Sequence, residues 1–345
     1  MPESTTAVTT TTSAACRTIA VIDGNSLMHR AYHAIMQPMT APDGRSTNAL
    51  FGFFNMFIKM VETFRPDGVI CAFDKGKPKV RMEKLPQYKA QRPPMDEALH
   101  EQFPMVKDLL RVLDVPVCEL EGWEGDDILG TLARRGEEAG YEMLLFTGDR
   151  DMYQLATEHV KIVSTKKGVS EVQIMTPESV DDLYHGITPD LVPDFYGLKG
   201  DTSDNIPGVP GIGEKTAMAL VQEYGSIDTL YAQMPDVHAK PAALRKLQEG
   251  EESARHSYWL ATIVTDAPLE FRPEDNLRQP FKPELYDLFL RLEFQKLIDK
   301  YGLSPQHQPE EKADAAAEVE ILETAERAQE LLDLWRGADH VTVYG

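Results

Sequence analysis

Cysteine is scarce in this chain: three residues, Cys16, Cys71 and Cys118, among 345. They are odd in number and lack metal-ligand spacing, and Cys71 sits inside an apolar run. No disulfide partner and no zinc knuckle are expected, and the setting reads as reducing and cytoplasmic. Long apolar runs are missing as well. None approaches the roughly 18 residues a membrane span needs, and the Thr/Ser/Ala-rich residues 1–16 hold no apolar stretch of signal-peptide length. That segment is read as a disordered N-terminus, and no membrane partner is expected. A basic excess is also lacking. The net charge is −21, whereas phosphate recognition normally shows as a surplus of Lys and Arg. The deficit is uneven, however: residues 307–345 hold ten acids against Lys312, Arg327 and Arg336, and nine further acids are clustered. Residues 75–92 run the other way, with seven cations against Glu83 alone.

The nine acids fall in five short apolar-flanked clusters. They are Asp23 in TIAVIDGNS, Asp74 in GVICAFD, Glu124, Asp126 and Asp127 in GWEGDD, Asp149 and Asp151 in LLFTGDRD, and Asp201 and Asp204 in GDTSDN. At least three end a strand-like hydrophobic run, which in a parallel α/β sheet brings them to the carboxyl edge where such folds bind ligands. A lone Asp after a strand is commonly a turn residue or helix N-cap, and Asp126 could serve only to cap the helix that follows. Repetition argues otherwise. So many carboxylates in one pocket require cations, and hard oxygen donors without Cys or His favour Mg²⁺ or Mn²⁺ over zinc. The matching chemistry is two-metal hydrolysis of a phosphodiester. The basic run after Asp74 would ordinarily be a solvated face, but its position beside a metal site suits a grip on phosphate.

Hydrophobic periodicity predicts strands at 18–22, 68–73, 115–120 and 141–146 and helices at 26–36, 47–64, 97–113 and 126–139. A short helix from Met152 and strands near 159–164 and 171–175 follow. This alternation is the pattern of a mainly parallel sheet flanked by helices. Pro78, Pro86, Pro93 and Pro94 prevent residues 75–95 from forming one unbroken helix. Trp123 and Trp259 read as core or packing residues. From about residue 188 short helices punctuated by Gly and Pro take over. There Gly208, Gly211 and Gly213 precede Lys215 and Thr216, a hairpin opening into a helix whose free amides suit a phosphate. It reads as a helix-hairpin-helix clamp on nucleic acid.

Taken together, VIDGNSL, TNALFGFF, FDKGKP, RMEKLPQYKAQR, GWEGDDILGTLA, TGDRDMYQL and LKGDTSDNIPGVPGIGEKTA resemble the 5′-nuclease domain of bacterial DNA polymerase I, within the flap endonuclease group. The resemblance implies a PIN-like α/β nuclease domain over 17–187 with a helical arch at about 75–95. An all-α helix-three-turn-helix domain over 188–302 follows, then a linker at 303–318 and, over 319–345, the start of a proofreading-like domain. It implies Asp23, Asp74 and Asp126 at a first Mg²⁺ (or Mn²⁺) and Asp149 and Asp151 at a second. Glu124, Asp127, Asp201 and Asp204 would act directly or through water. Arg30 and the arch residues Arg81, Lys89 and Arg92 would hold the target phosphate, and K⁺ is a further candidate ligand of the 208–213 hairpin. The implied substrate is DNA with 5′ flaps, nicks or 5′ ends, with a polymerase region in cis as a candidate partner.

Three positions depart from the family pattern. His29 stands where the family usually has a stacking Tyr or Phe, so weaker stacking on a terminal base is expected. Gly125 stands where Ala is common, and Val80 replaces an aromatic residue. No Asp-x-Glu of a proofreading site accompanies Val341–Gly345. The expectation is therefore either a truncated polymerase or a short stand-alone nuclease. Two rival readings remain: a PIN-type ribonuclease using the same acids, and a non-catalytic junction-binding module.

Overall fold

The computed structural model describes residues 17–165, 172–234, 236–272, 275, 277 and 284–304. The predicted linker beyond 304 and the strand–helix–strand pattern over 319–345 lie outside the described residues. The described residues form one compact unit.

Six strands make a single sheet in the order β3-β2-β1-β4-β5-β6. They are β1 (Thr18–Asp23), β2 (Gly68–Lys75), β3 (Val117–Glu121), β4 (Glu142–Phe146), β5 (Val160–Thr165) and β6 (Val172–Met175). The first five pair in parallel, and β6 is antiparallel to β5. β1 is central, and the chain reaches β2 on one side of it and β4 on the other. That is the switch point at which open parallel sheets form a crevice.

Alternation along β1 divides the core. Ile19 and Val21 face α6 (Gly125–Glu138), while Ala20 and Ile22 join the aromatic layer built by Phe53, Phe54 and Phe57 of α2 (Asn48–Phe64). Burial on both faces is why the strands read as continuous apolar runs. α1 (Gly24–Ala34) starts two residues before the predicted helix, because the Asp23 carboxylate accepts from the Ser26 amide at 2.9 Å and caps it. The predicted helix 97–113 divides into α4 (Glu97–His100) and α5 (Gln102–Val112). Pro104 has no N–H to offer the carbonyl of His100, which weakens the turn at that point.

Residues 75–95 hold one short helix, α3 (Lys79–Lys84), followed by turns through residue 92. The implied helical arch is thus only partly helical, as Pro86, Pro93 and Pro94 require. The remaining helices are α7 (Pro177–Leu183), α8 (Val192–Lys199), α9 (Glu214–Tyr224), α10 (Ile227–Ala232), α11 (Pro241–Glu249), α12 (Glu251–Ala261), α13 (Glu284–Arg291) and α14 (Gln295–Tyr301). α12 packs on α8. α13 returns to the nuclease half, where Phe289 meets Phe54 edge-on at 5.4 Å. Trp259 does not enter the core as expected. It is 38% exposed, with the Lys84 ammonium 5.9 Å from its ring. Among the described residues, no helix is long and apolar enough to cross a membrane.

Candidate active site

The carboxyl ends of β1, β2 and β4 and the N-terminus of α6 converge on a cavity of about 590 Å³. Asp23, Asp74, Glu124, Asp126, Asp149, Asp151 and Asp201 all line it. Several are held by local bonds. The Thr147 hydroxyl donates to Asp23 Oδ2 at 2.7 Å and also accepts the Asp149 amide at 3.1 Å, tying the ends of β1 and β4 together. Asp74 accepts from Asn25 Nδ2 at 2.7 Å and from the Gly125 amide at 2.6 Å. A Cβ on residue 125 would lie 3.2 Å from Asp74 Oδ1, so glycine lets the start of α6 close on β2. The Asp151 amide donates to Asp149 Oδ1, and Ser203 donates both its amide and its hydroxyl to Asp201 Oδ1.

Crowding raises several of these acids. Burial is the largest cause in each case. It lifts Asp23 to about 6 despite its two hydrogen bonds, with Asp74 and Asp149 adding repulsion. Asp151 rises to about 8 through burial and then through Asp149, Asp201 and Asp204. Asp126 lies well above the ordinary range, pushed by burial and then by Asp149 and Asp23. Among the described residues, no three His, Cys, Asp or Glu side chains are drawn together closely enough to hold an ion as they stand. Their oxygens are turned instead toward Asn25, Thr147, Ser203 and backbone amides. The donor set nevertheless fits hard divalent cations. It is all oxygen, it carries like charge in partial burial, and cations are what stabilise such a cluster in its ionised form.

The other predicted residues divide. Lys89 and Arg92 line the cavity, as do His29 and Arg30. Lys89 pairs with Glu124 and lies 3.2 Å from Asp204 Oδ2, and Arg92 pairs with Asp204 Oδ1. Burial alone would raise Asp204, but the two cations hold it below the usual carboxylate range. His29 lies 6.2 Å from the Phe103 ring and 6.3 Å from that of His33.

Arg81 and Asp127 do not reach the cavity. Arg81 Nη1 donates to Asp127 Oδ2 at 2.6 Å and Nη2 to Oδ1 at 2.8 Å, with Asp127 fully buried. Asp127 also accepts the amides of Val264 and Glu124, and Arg81 donates to the carbonyls of Leu260 and Thr262. Both are consumed in joining α3 and α6 to the end of α12, so neither the metal role expected of Asp127 nor the phosphate role expected of Arg81 fits their position.

Residues that sequence reasoning missed also stand here. Tyr88, 5% exposed, donates toward Glu124 Oε2 at 2.9 Å and Asp204 Oδ2 at 3.1 Å. Burial and these two carboxylates hold its phenol far above its ordinary pKa, so it remains a donor. Lys199 lines the cavity with its ammonium 4.5 Å from the Tyr196 ring. Its place directly before Gly200-Asp201 was the signal available.

The glycine-rich hairpin lies beyond α8. Gly208 is buried. Its amide donates to Ser257 Oγ and its carbonyl accepts from Ser253 Oγ, so this amide is not free for a phosphate as expected. Gly211 has φ +80°. Gly213 caps α9 with open space where a side chain would stand, and Lys215 is exposed beside it, with Thr216 half-buried.

Residues 18–185 match the family model described as 5′-3′ exonuclease, N-terminal resolvase-like domain, and residues 187–284 match its companion, the 5′-3′ exonuclease C-terminal SAM fold. The chain belongs to the 5′-3′ exonuclease family. It is 39% identical over 289 residues to DNA polymerase I of Caldicellulosiruptor bescii and 40% identical over 286 residues to DNA polymerase I of Bacillus subtilis. These matches take in 83% and 82% of the chain but only 34% and 32% of those proteins, so it spans about a third of their length. Among solved structures, a T5 5′-exonuclease with bound zinc aligns with a TM-score of 0.60 at 23% identity, over 72% of this chain and 90% of that one. A phage T5 flap endonuclease in complex with DNA and metal ions aligns at 0.59 and 22%, over 80% and 100%. These likenesses establish a shared fold.

Proposed function

We propose that the chain is a structure-specific 5′-3′ exonuclease and flap endonuclease. It hydrolyses a DNA phosphodiester near the junction of a 5′ flap or at a nick or 5′ end, leaving a 5′ phosphate. The observation that carries this reading is the gathering of seven acids from separate elements at the switch point of the sheet, in one cavity with Lys89 and Arg92. Asp23, Asp74 and Asp126 would hold one Mg²⁺ or Mn²⁺ and Asp149 and Asp151 a second, with Asp126 between them and Asp201 acting through water. Such ions, when bound, supply an activated water and stabilise the leaving 3′ oxygen. The chain's own residues position the strand. Lys89 and Arg92, presently paired with Glu124 and Asp204, are the cations that reach a phosphate entering the cavity, and Lys199 offers a third. His29 gives a half-buried ring for a terminal base to stack on.

The duplex would lie along the hairpin side, with Gly213, Lys215 and the start of α9 gripping its backbone. The identities to DNA polymerases I support a role as the N-terminal nuclease of such a polymerase, working in the cytoplasm in primer or flap removal. The carbonyls of Gly208, Val209, Gly211 and Gly213 already accept from donors of the chain, which argues against a bare monovalent ion at the hairpin.

Matched DNA and RNA flaps, nicked duplex and single strands, incubated with and without Mg²⁺, test this reading on one gel. Metal-dependent cutting of the DNA flap near its junction supports it. Preferential cutting of RNA would favour a PIN-type ribonuclease, and tight metal-independent binding without turnover would favour a junction-binding module.

A further inference from the structure

The hairpin carries a cation, and the chain supplies it. Lys246, on α11, donates its Nζ to the carbonyl of Gly211 at 3.0 Å. A Cβ on residue 211 would lie 2.4 Å from that Nζ, 2.8 Å from Cε and 3.2 Å from Cδ. The lysine side chain therefore lies across the turn in the space a larger residue at 211 would fill. Gly211 is needed for its positive φ, and its lack of a side chain leaves this space to the flexible end of Lys246.

The neighbouring carbonyls are also taken. Gly208 accepts from Ser253 Oγ at 2.6 Å, Val209 from the Ile212 amide at 2.9 Å, and Gly213 from the amides of Thr216 and Ala217. A bare monovalent ion needs several such oxygens turned to one point. Here the carbonyls of Gly208, Val209, Gly211 and Gly213 are turned to donors of the chain, and the positive charge among those donors is the ammonium.

We infer that Lys246 is the tethered monovalent cation of the hairpin. It presents to a duplex phosphate the charge that a bound K⁺ would otherwise carry, so duplex binding by this chain is indifferent to which monovalent salt surrounds it. A lysine ammonium is a compact point charge on a flexible stem. Anchored on Gly211, it can keep one donor on the carbonyl and turn the others outward. This inference rests on the proposed grip of the hairpin on duplex DNA.

The test is the dissociation constant of a labelled 5′-flap duplex, measured in Ca²⁺ at equal concentrations of potassium, sodium or tetramethylammonium chloride. Tetramethylammonium cannot donate a hydrogen bond or enter a carbonyl site. The intact chain should bind within about twofold in all three salts, since its hairpin charge is covalently held. Lys246→Gln keeps an N–H for Gly211 but drops the charge. It should bind about tenfold more weakly, with a salt slope lower by about one. Lys246→Arg should stay close to the parent, and thermal melts should match for all three chains. Binding by the intact chain that collapses in tetramethylammonium and returns in K⁺ would overturn the inference while leaving the nuclease reading intact. So would a Lys246→Gln chain with unchanged affinity and slope. No binding of duplex-bearing flaps in any salt would remove the grip itself, and with it the reading on which the inference rests.

Discussion

Arg81 and Asp127 face each other in a paired, two-bond contact at 2.6 and 2.8 Å, the arginine 4% exposed and the aspartate fully buried. The pair joins the short helix after β2 to α6, and through the carbonyls of Leu260 and Thr262 it reaches the end of α12. Burial by itself would make the guanidinium easier to deprotonate, but Asp127 and Glu124 more than offset this and hold its pKa above its ordinary value. The contact is a structural joint between the two halves of the molecule.

Removing one member of a buried pair strands the other charge, which costs about 3–5 kcal/mol. Arg81→Ala should therefore lower unfolding stability by that order. Urea denaturation checks it, and a stability loss below about 1 kcal/mol, the size expected of an exposed ion pair, would show that the arginine is not committed to Asp127.

Lys89 behaves differently. It lies at the cavity wall, paired with Glu124 and Asp204, in a left-handed backbone conformation at φ 54°. Losing one charge-assisted phosphate contact costs about 1.5–3 kcal/mol, so Lys89→Ala should slow single-turnover cleavage at least about tenfold. A rate equal to the parent's would return residues 75–92 to the status of a solvated basic loop.

Asp194 gives a pH prediction away from the acidic cavity. It is 4% exposed and accepts the Ile227 amide at 2.7 Å. Burial raises its pKa to about 6, against hydrogen bonds from Ile227 and its own amide, with Asp228 and Asp190 adding repulsion. In the unfolded chain the group titrates near 3.9. Between the two values the folded state binds more protons, so this group's contribution to stability falls as pH rises from about 4 to about 6. Asp194→Asn keeps an acceptor for Ile227 without the charge. Relative to the parent it should gain stability at pH 7.5, by roughly 1–3 kcal/mol, and gain almost nothing below pH 4. Equal differences at both pH values would contradict the assignment.

The hydrophobic runs and the acids that end them made the sheet and its crevice legible in advance. Asp23 closes β1, and Asp149 follows β4 by three residues. A strand buried on both faces has few ways to be written, and a charge at its end is conspicuous. What the sequence concealed was pairing. Arg81, Lys89 and Arg92 belong to one basic run, and nothing in their spacing tells that the first turns inward to Asp127 while the other two face the cavity. Tyr88 and Lys246 were hidden for the same reason. Their partners lie 36 and 35 residues away, and only the folded chain brings a phenol to Glu124 or an ammonium to Gly211. Gly208 was marked for a phosphate because glycine permits close approach. The approach is real, but it is made by the hydroxyls of Ser253 and Ser257.

The central claim is that the acids act through bound divalent ions rather than by holding DNA. Asp151→Ala separates the two most directly, measured as single-turnover cleavage of a 5′ flap in Mg²⁺ beside equilibrium binding of the same flap in Ca²⁺. The account predicts that cleavage is lost while affinity stays within about threefold of the parent, because the residue serves the chemistry and makes no contact with the duplex. Near-normal turnover, or intact chemistry at saturating DNA with binding lost, would contradict it.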